Sequence, residues 1–345
     1  RQSLFGYNSL KWDKRIEPVR YQEAKKSYVE TLELVSANAI NKFFALATAQ
    51  SNYDIASFNY ANADTLYRYA QGRYNIGTIT ENEMLQLELN RLTEETNRMN
   101  ARIEMDNCMQ ELRSYLGIQE EREIRVRVSS RIPDFSINLN EALALAYENS
   151  PDIQTMKRRK LESESAVARA RANAGLKADI YLRFGLTQTA DKLPEAYRNL
   201  LDQQYVSLSI SLPILDWGRG KGQVRVARSN RDLVYTQVEQ NRTDFELNVR
   251  KLVKQFNLQT QRVRIAARTD ETAQRRNEVA RKLYILGKST ILDLNASISE
   301  KDSARRNYVS ALYNYWSLYY TLRSMTLYDF ESNKLLTEDY NLLIE

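Results

Sequence analysis

Two hydrophobic periods alternate along this chain. Over long tracts apolar residues recur every three to four positions, and over two short tracts they recur at every second position. The first long tract carries Tyr28, Leu32, Val35, Ala39, Phe43, Leu46, Ala49, Tyr53, Ala56, Tyr60, Ala63, Tyr67, Ala70 and Tyr74 at that spacing. This predicts a helix with a coiled-coil-like seam, where small Ala set against large Tyr lets a neighbouring helix approach closely. A second tract (Phe245, Val249, Leu252, Phe256, Val263, Ala266, Ala273, Ala280, Tyr284) repeats the pattern in weaker, more polar form. The prolines, at 18, 133, 151, 194 and 213, leave 19–132 and 214–345 free of that breaker. Sixty-odd helical residues make a rod about 90–100 Å long.

Each long helix is expected to stop at a glycine, Gly77 or Gly287, which suits the left-handed conformation that ends a helix. Shorter return helices are predicted over 80–116 and 290–327, so each repeat forms a hairpin with a glycine turn at its tip. Between the hairpins, 118–138 reads as a polar connector. Another helix starts at Leu139 and pauses at Asn149-Ser150-Pro151-Asp152, where Asn149 or Ser150 can cap and Pro151 can take the first helical position.

The period then falls to two. Ile180, Leu182, Phe184 and Leu186 alternate with Tyr181, Arg183, Gly185 and Thr187, while Val206, Leu208, Ile210 and Leu212 alternate with Ser207, Ser209 and Ser211. These predict a hairpin within 179–216, one face apolar and the other small or polar. A half-buried hairpin on a helical domain would satisfy the pattern. Closure into a barrel across several subunits satisfies it better, because it removes the sheet edges.

The chain also states its pattern twice. Trp12-Asp13-Lys14-Arg15 and Trp217-Gly218-Arg219-Gly220 open the two halves, and Tyr74-Asn75-Ile76-Gly77 matches Tyr284-Ile285-Leu286-Gly287. Leu112-Arg113-Ser114 returns as Leu322-Arg323-Ser324. We divide the chain into a first repeat (1–117, with a strand remnant from Ser3 to Leu10), the connector (118–138) and a second repeat (139–345). Far more sequence precedes Trp217 within its repeat than precedes Trp12. The start of the first repeat, with any targeting segment, is therefore expected ahead of Arg1.

Composition narrows the function. There is no His and one Cys, Cys108, which removes the usual acid–base, thiol and metal machinery, so neither an enzyme nor a cofactor or metal site is expected. The net charge of +6 is spread among interleaved acids and bases, unlike the concentrated basic face that nucleic-acid binding needs. Tyrosine outnumbers phenylalanine, 22 to 9, which suits narrow interfaces with one wet side. No run approaches the roughly 18–20 apolar residues of a spanning helix, although transmembrane strands leave a weaker, alternating signal.

Two constellations stand out. Gly218-Arg219-Gly220-Lys221-Gly222 lies between a strand and a helix but lacks both phosphate-loop spacings. It reads as a flexible joint, with Trp12, Pro213, Trp217 and Gly218 at a membrane or domain edge. At the tips, Thr80 with Glu83 and Thr290 with Asp293 have capping-box spacing. Those acids are equally suited to a ring that selects cations at the mouth of a helical tube.

The segments Tyr205 to Gly218 (YVSLSISLPILDWG), Leu139 to Asp152 (LNEALALAYENSPD) and Tyr284 to Asp293 (YILGKSTILD) resemble the TolC-type outer membrane efflux proteins, and the likeness covers nearly the whole chain in family order. The resemblance implies a mainly α fold with a small β part: a homotrimer whose duplicated helical hairpins form an α-barrel through the periplasm and whose strands join one outer-membrane β-barrel. It implies a passive exit duct, bedded in outer membrane lipids, that docks with a periplasmic adaptor and an inner-membrane pump. It maps adaptor docking onto Ile76, Gly77, Thr78, Leu286, Gly287, Lys288 and Ser289, and the pore entrance onto Asp293, Glu83, Tyr284 and Tyr74. The chain departs from the family where Ala296 replaces a second acid, and where Ser289, beside Lys288, replaces a basic residue. The competing reading is a soluble, elongated coiled-coil scaffold outside any membrane.

Overall fold

The computed structural model describes residues 2–3, 6–119, 123–129, 132–187, 201–286 and 288–336. In chain order these form β1 (Gln2–Ser3), α1 (Ser9–Asn75), α2 (Glu81–Tyr115), α3 (Leu139–Asn149), α4 (Pro151–Ala174), β2 (Lys177–Thr187), β3 (Leu201–Ser211), α5 (Arg219–Ile285), α6 (Ile291–Thr326), β4 (Tyr328–Asp329) and β5 (Lys334–Leu335). The strand remnant expected from Ser3 to Leu10 is corrected: β1 is two residues long, and α1 already runs through Ser9 and Leu10. Pro18 lies inside α1, in its third turn, where it has no N–H to give to the ladder, and the helix nevertheless continues through it. Among the described residues no helix is long and apolar enough to cross a membrane. The chain divides into two compact units, 1–28 with 147–248, and 29–146 with 249–345.

The first unit holds the sheet β1–β2–β3, antiparallel throughout. Ile180 pairs with Leu208 and Leu182 with Val206, so the apolar positions of the two long strands share a face. That face is bare in the single chain, with Phe184 72%, Val206 69% and Ile210 66% exposed. Below it α4 is held mostly by polar contacts, since few of its side chains are buried. Arg158 grips Glu23 of α1 at 2.5 Å and Glu162 at 3.0 Å, and Thr155 donates to Glu23 at 2.8 Å. Toward α5, Lys160 meets Glu239 at 2.8 Å and Tyr235 donates to Glu164 at 2.6 Å. The Arg158 guanidinium holds the Glu23 carboxyl below its ordinary range despite the opposing effect of burial.

The second unit is built on heptads. Ala49, Ala56, Ala63 and Ala70 are all buried along α1. The intervening tyrosines face α2, where Arg102 stands over Tyr53, Arg98 over Tyr60 (4.2 Å to the ring centre) and Arg91 over Tyr67. This ladder gives the tyrosine excess a physical use: the ring packs, the guanidinium caps its face, and both keep a wet edge. Upstream the expected seam fails. Tyr28, Leu32 and Val35 are exposed, and the buried positions are Val29 and Glu33. The inward-facing Glu33 pairs there with Arg323 of α6, at 2.9 Å.

The connector is not the free polar linker that its composition suggests. Ile124 and Val126 pack on the cluster of Leu46, Ala49, Met105 and Leu112. Gln50 of α1 donates to the Ile124 carbonyl and accepts from the Val126 N–H, both at 3.2 Å. Asn257 of α5 makes the same kind of pair with Ile137. Beneath it lies an aromatic core of Phe256, Tyr315 and Tyr319, with ring centres 5.1–5.9 Å apart, and the Tyr315 hydroxyl donates to the Pro133 carbonyl at 3.0 Å. The small β4–β5 hairpin closes over α6, where Tyr319 donates to Asp329.

Candidate functional site

The tip of the first hairpin is a helix stop followed at once by a helix start. Gly77 sits at φ +72°, and the N–H groups of Gly77 and Thr78 return to the carbonyls of Tyr74 and Arg73 at 2.9 Å. A side chain at Gly77 would meet open space but would force an unfavourable backbone region. Thr80 then caps α2 in a complete capping box: its Oγ1 accepts from the Glu83 N–H at 3.2 Å, and the Glu83 carboxylate accepts from the Thr80 N–H at 2.9 Å.

The second tip repeats the device. Thr290 caps α6 with Asp293, whose carboxylate accepts from the Thr290 hydroxyl at 2.6 Å, the Thr290 N–H at 3.2 Å and the Ser289 hydroxyl at 3.3 Å. These donors, the Thr290 hydroxyl first, hold the exposed Asp293 carboxyl below the ordinary aspartate value. Ser289 thus supports the acid. Gly287 lies outside the described residues.

Some of the tip residues converge on one cleft of about 800 Å³: Tyr284, Leu286 and Ser289 line it together with Ile76 and Thr78 of the first repeat. Tyr74, Gly77, Lys288, Glu83 and Asp293 are not in its wall. Sequence reasoning missed Tyr69 and Arg73, which do line it and stack with the guanidinium 5.8 Å from the ring centre. Their spacing from Ile76, one and two helical turns back, was the available signal.

Behind the cleft the helix seam changes character. Along α5 the buried heptad runs Val249, Phe256, Val263 and then Asp270 and Asn277. Asp270 accepts from Arg305 at 3.2 Å, Asn277 donates to Ser297 at 3.0 Å, and Asp302 accepts from Asn59 of α1 at 2.7 Å. The expected continuation through Ala266, Ala273 and Ala280 is only half-buried. Polar residues at such positions fix register at some expense in stability.

At the other end of α5, Asp216 organises the strand-to-helix joint. Its carboxylate accepts from the N–H groups of Gly218 at 2.9 Å and Gly220 at 2.8 Å, and those bonds hold it below the usual aspartate range. Gly220 has no room for a side chain, because a Cβ would lie 2.8 Å from the Asp216 carboxylate and 3.0 Å from the Ala174 Cβ. The glycines therefore serve a cap and a close contact. Trp217 projects with 92% of its surface exposed, beside exposed Ile214 and Leu215. Trp12 is not at a matching joint, since it lies within α1, half-buried, with Arg15 stacked on its ring at 4.6 Å.

The model of the outer membrane efflux protein family matches residues 142–326, just over half of the chain. No curated protein matches it by sequence. Among solved structures, the chain is similar to the CmeC outer membrane channel of Campylobacter jejuni (TM-score 0.76, 16% identity, 97% of this chain and 70% of that one). It is also similar to a membrane protein from Pseudomonas aeruginosa (TM-score 0.73, 12% identity, 96% and 74%) and to the outer membrane protein VceC of Vibrio cholerae (TM-score 0.69, 16% identity, 91% and 76%). At these identities the likeness establishes the fold.

Proposed function

The chain belongs to the outer membrane efflux protein family, and from that premise we propose how this member works as a passive exit duct. The reading as a soluble scaffold finds no support, and a duct of this family is not an enzyme. The observation that carries the proposal is the β2–β3 hairpin, whose apolar face is bare while its opposite face carries Ser207, Ser209 and Ser211 among mostly polar, charged and tyrosine side chains. Strands of 11 residues extend about 36 Å. Tilted by about 40°, they match the roughly 25 Å apolar band of an outer-membrane barrel.

Three copies close the barrel and the helical tube beneath it, with the apolar face in lipid and Trp217, Ile214 and Leu215 at the periplasmic membrane edge, where indole rings settle. Pro213 and Gly218 bracket that joint and let the strand turn into α5. The tip cleft, with Ile76, Thr78, Leu286 and Ser289 in its wall and Gly77, Gly287 and Lys288 at the turns, receives the adaptor of an inner-membrane pump. Asp293 and Glu83 guard the entrance with Tyr284 and Tyr74, and their capping bonds orient both carboxylates. The polar seam at Asp270, Asn277 and Asp302 makes α5–α6 the hairpin that yields on opening.

Substituting Leu208→Arg tests the lipid-facing assignment, because an arginine at mid-bilayer on that face costs about 2–4 kcal/mol. The variant should be lost from the outer-membrane fraction while Ser207→Arg, on the opposite face, is retained. Equal recovery of both would refute the assignment.

A further inference from the structure

The serine face of the β2–β3 hairpin has one level unlike the rest. Near its periplasmic end it presents Ser211, Ser209 and Ser207, with Lys177 and Asp179 two residues apart and opposite in charge. At the next level Arg183 lies directly across from Tyr205, and Tyr181 reaches the same level, its ring edge-on to Tyr205 with centres 6.1 Å apart. Beyond that level Gly185 faces Gln203. The aromatic side chains of this face are thus gathered at one height, beside Arg183. Arg183 is an uncompensated cation there, because its described neighbours on that face carry no charge. Both tyrosines keep about half their surface open.

We propose that Arg183, Tyr181 and Tyr205 form a collar in the outer-membrane bore that favours solutes joining an aromatic ring to a carboxylate. This rests on the duct reading above, which turns the serine face toward the bore. The guanidinium fork pairs with a carboxylate through two parallel hydrogen bonds. The tyrosine faces and edges accept an aryl group in the arrangement they already adopt with each other. Repeated by threefold symmetry, the arginines make a ring of the sign that favours anions.

The full-length channel in planar bilayers provides the test, read as reversal potential in a potassium chloride gradient and as current block by salicylate against acetate. The unsubstituted channel should be blocked about fivefold more tightly by salicylate, the factor of one aromatic contact. Arg183→Gln should shift the reversal potential toward cations and remove the salicylate preference. Tyr205→Ser should leave the reversal potential in place and still remove that preference, and Arg183→Lys should keep the reversal potential. Equal block by both anions, or an unmoved reversal potential in Arg183→Gln at unchanged conductance, overturns the collar. A full-length protein that forms no conducting pore refutes the duct itself, and the collar falls with it.

Discussion

Asn257 and Ile137 exchange two hydrogen bonds: the Asn257 Oδ1 accepts from the Ile137 N–H and its Nδ2 donates to the Ile137 carbonyl, both at 2.9 Å. Gln50 of α1 does the same for Ile124 and Val126. A side-chain amide thereby imitates a neighbouring strand, pinning an extended strap to a helix surface that offers no backbone partners.

Replacing Asn257 by Leu keeps the volume but strands a half-buried N–H and C=O. A loss of about 2–4 kcal/mol is expected, given about 1–3 for each orphaned group. Gln50→Leu should produce a similar loss. Denaturant unfolding of the detergent-solubilised protein measures both, and a change below about 0.5 kcal/mol would show that the strap is not held this way.

Asn277→Leu should act in the opposite sense. The apolar side chain continues the heptad of Val249, Phe256 and Val263, and Ser297 stays satisfied through its bond to the Leu294 carbonyl at 2.7 Å. A polar residue at a seam position costs stability, so its apolar replacement should stabilise the hairpin. If the seam must yield for opening, the variant should be more stable yet slower in drug efflux from cells. Greater stability with undiminished efflux would remove the seam from the gate.

Asp293→Asn together with Glu83→Gln should lower cation selectivity and raise single-channel conductance. The amides retain an acceptor oxygen for Thr290 and Thr80, so the caps survive while the charges go. Because the Asp293 carboxyl is held below its ordinary value, its charge persists through mildly acidic conditions. Its contribution to selectivity should disappear only as pH falls below the usual aspartate range of about 4. Unchanged conductance and selectivity in the double variant would leave both acids as helix caps alone.

Glu23 supplies a pH-dependent prediction for the first unit. Its folded carboxyl lies below the unfolded value, so its stabilising effect is complete above about pH 4.3 and is lost as pH falls through the folded value. Glu23→Gln should reduce stability by about 1.5–3 kcal/mol near neutrality, the range for hydrogen bonds to charged groups. The gap between variant and parent should close on acidification. A gap that did not narrow would assign the effect to packing.

Much of this fold was legible because period carries it. The 3–4 spacing marked the two longest helices, and the strict alternation around Leu182 and Leu208 marked the strands. The glycine and threonine punctuation at Gly77, Thr80 and Thr290 marked the turns. The rest was hidden for identifiable reasons. The strap's apolar residues, Ile124, Val126 and Ile137, are isolated among charges, and what docks them is a Gln and an Asn more than seventy residues away. Tyr28, Leu32 and Val35 fit the heptad template, yet the face turned inward is that of Val29 and Glu33, a charged residue paired with Arg323 that a hydrophobic template passes over. Asp270 and Asn277 continue a buried stripe with polar residues, which a hydrophobic template reads as its end. Asp216 was readable as a cap from its spacing to Gly218, but the neighbouring glycines drew the comparison toward phosphate loops.

The most direct test is an electron-microscopic image of the purified full-length protein in detergent. A hollow cylinder with threefold symmetry, wide enough for a water-filled bore, is the predicted result. A monomer that stays dispersed without detergent and shows no lumen would contradict the account, because the bare face from Leu182 to Ile210 would then be covered by neither lipid nor a second copy.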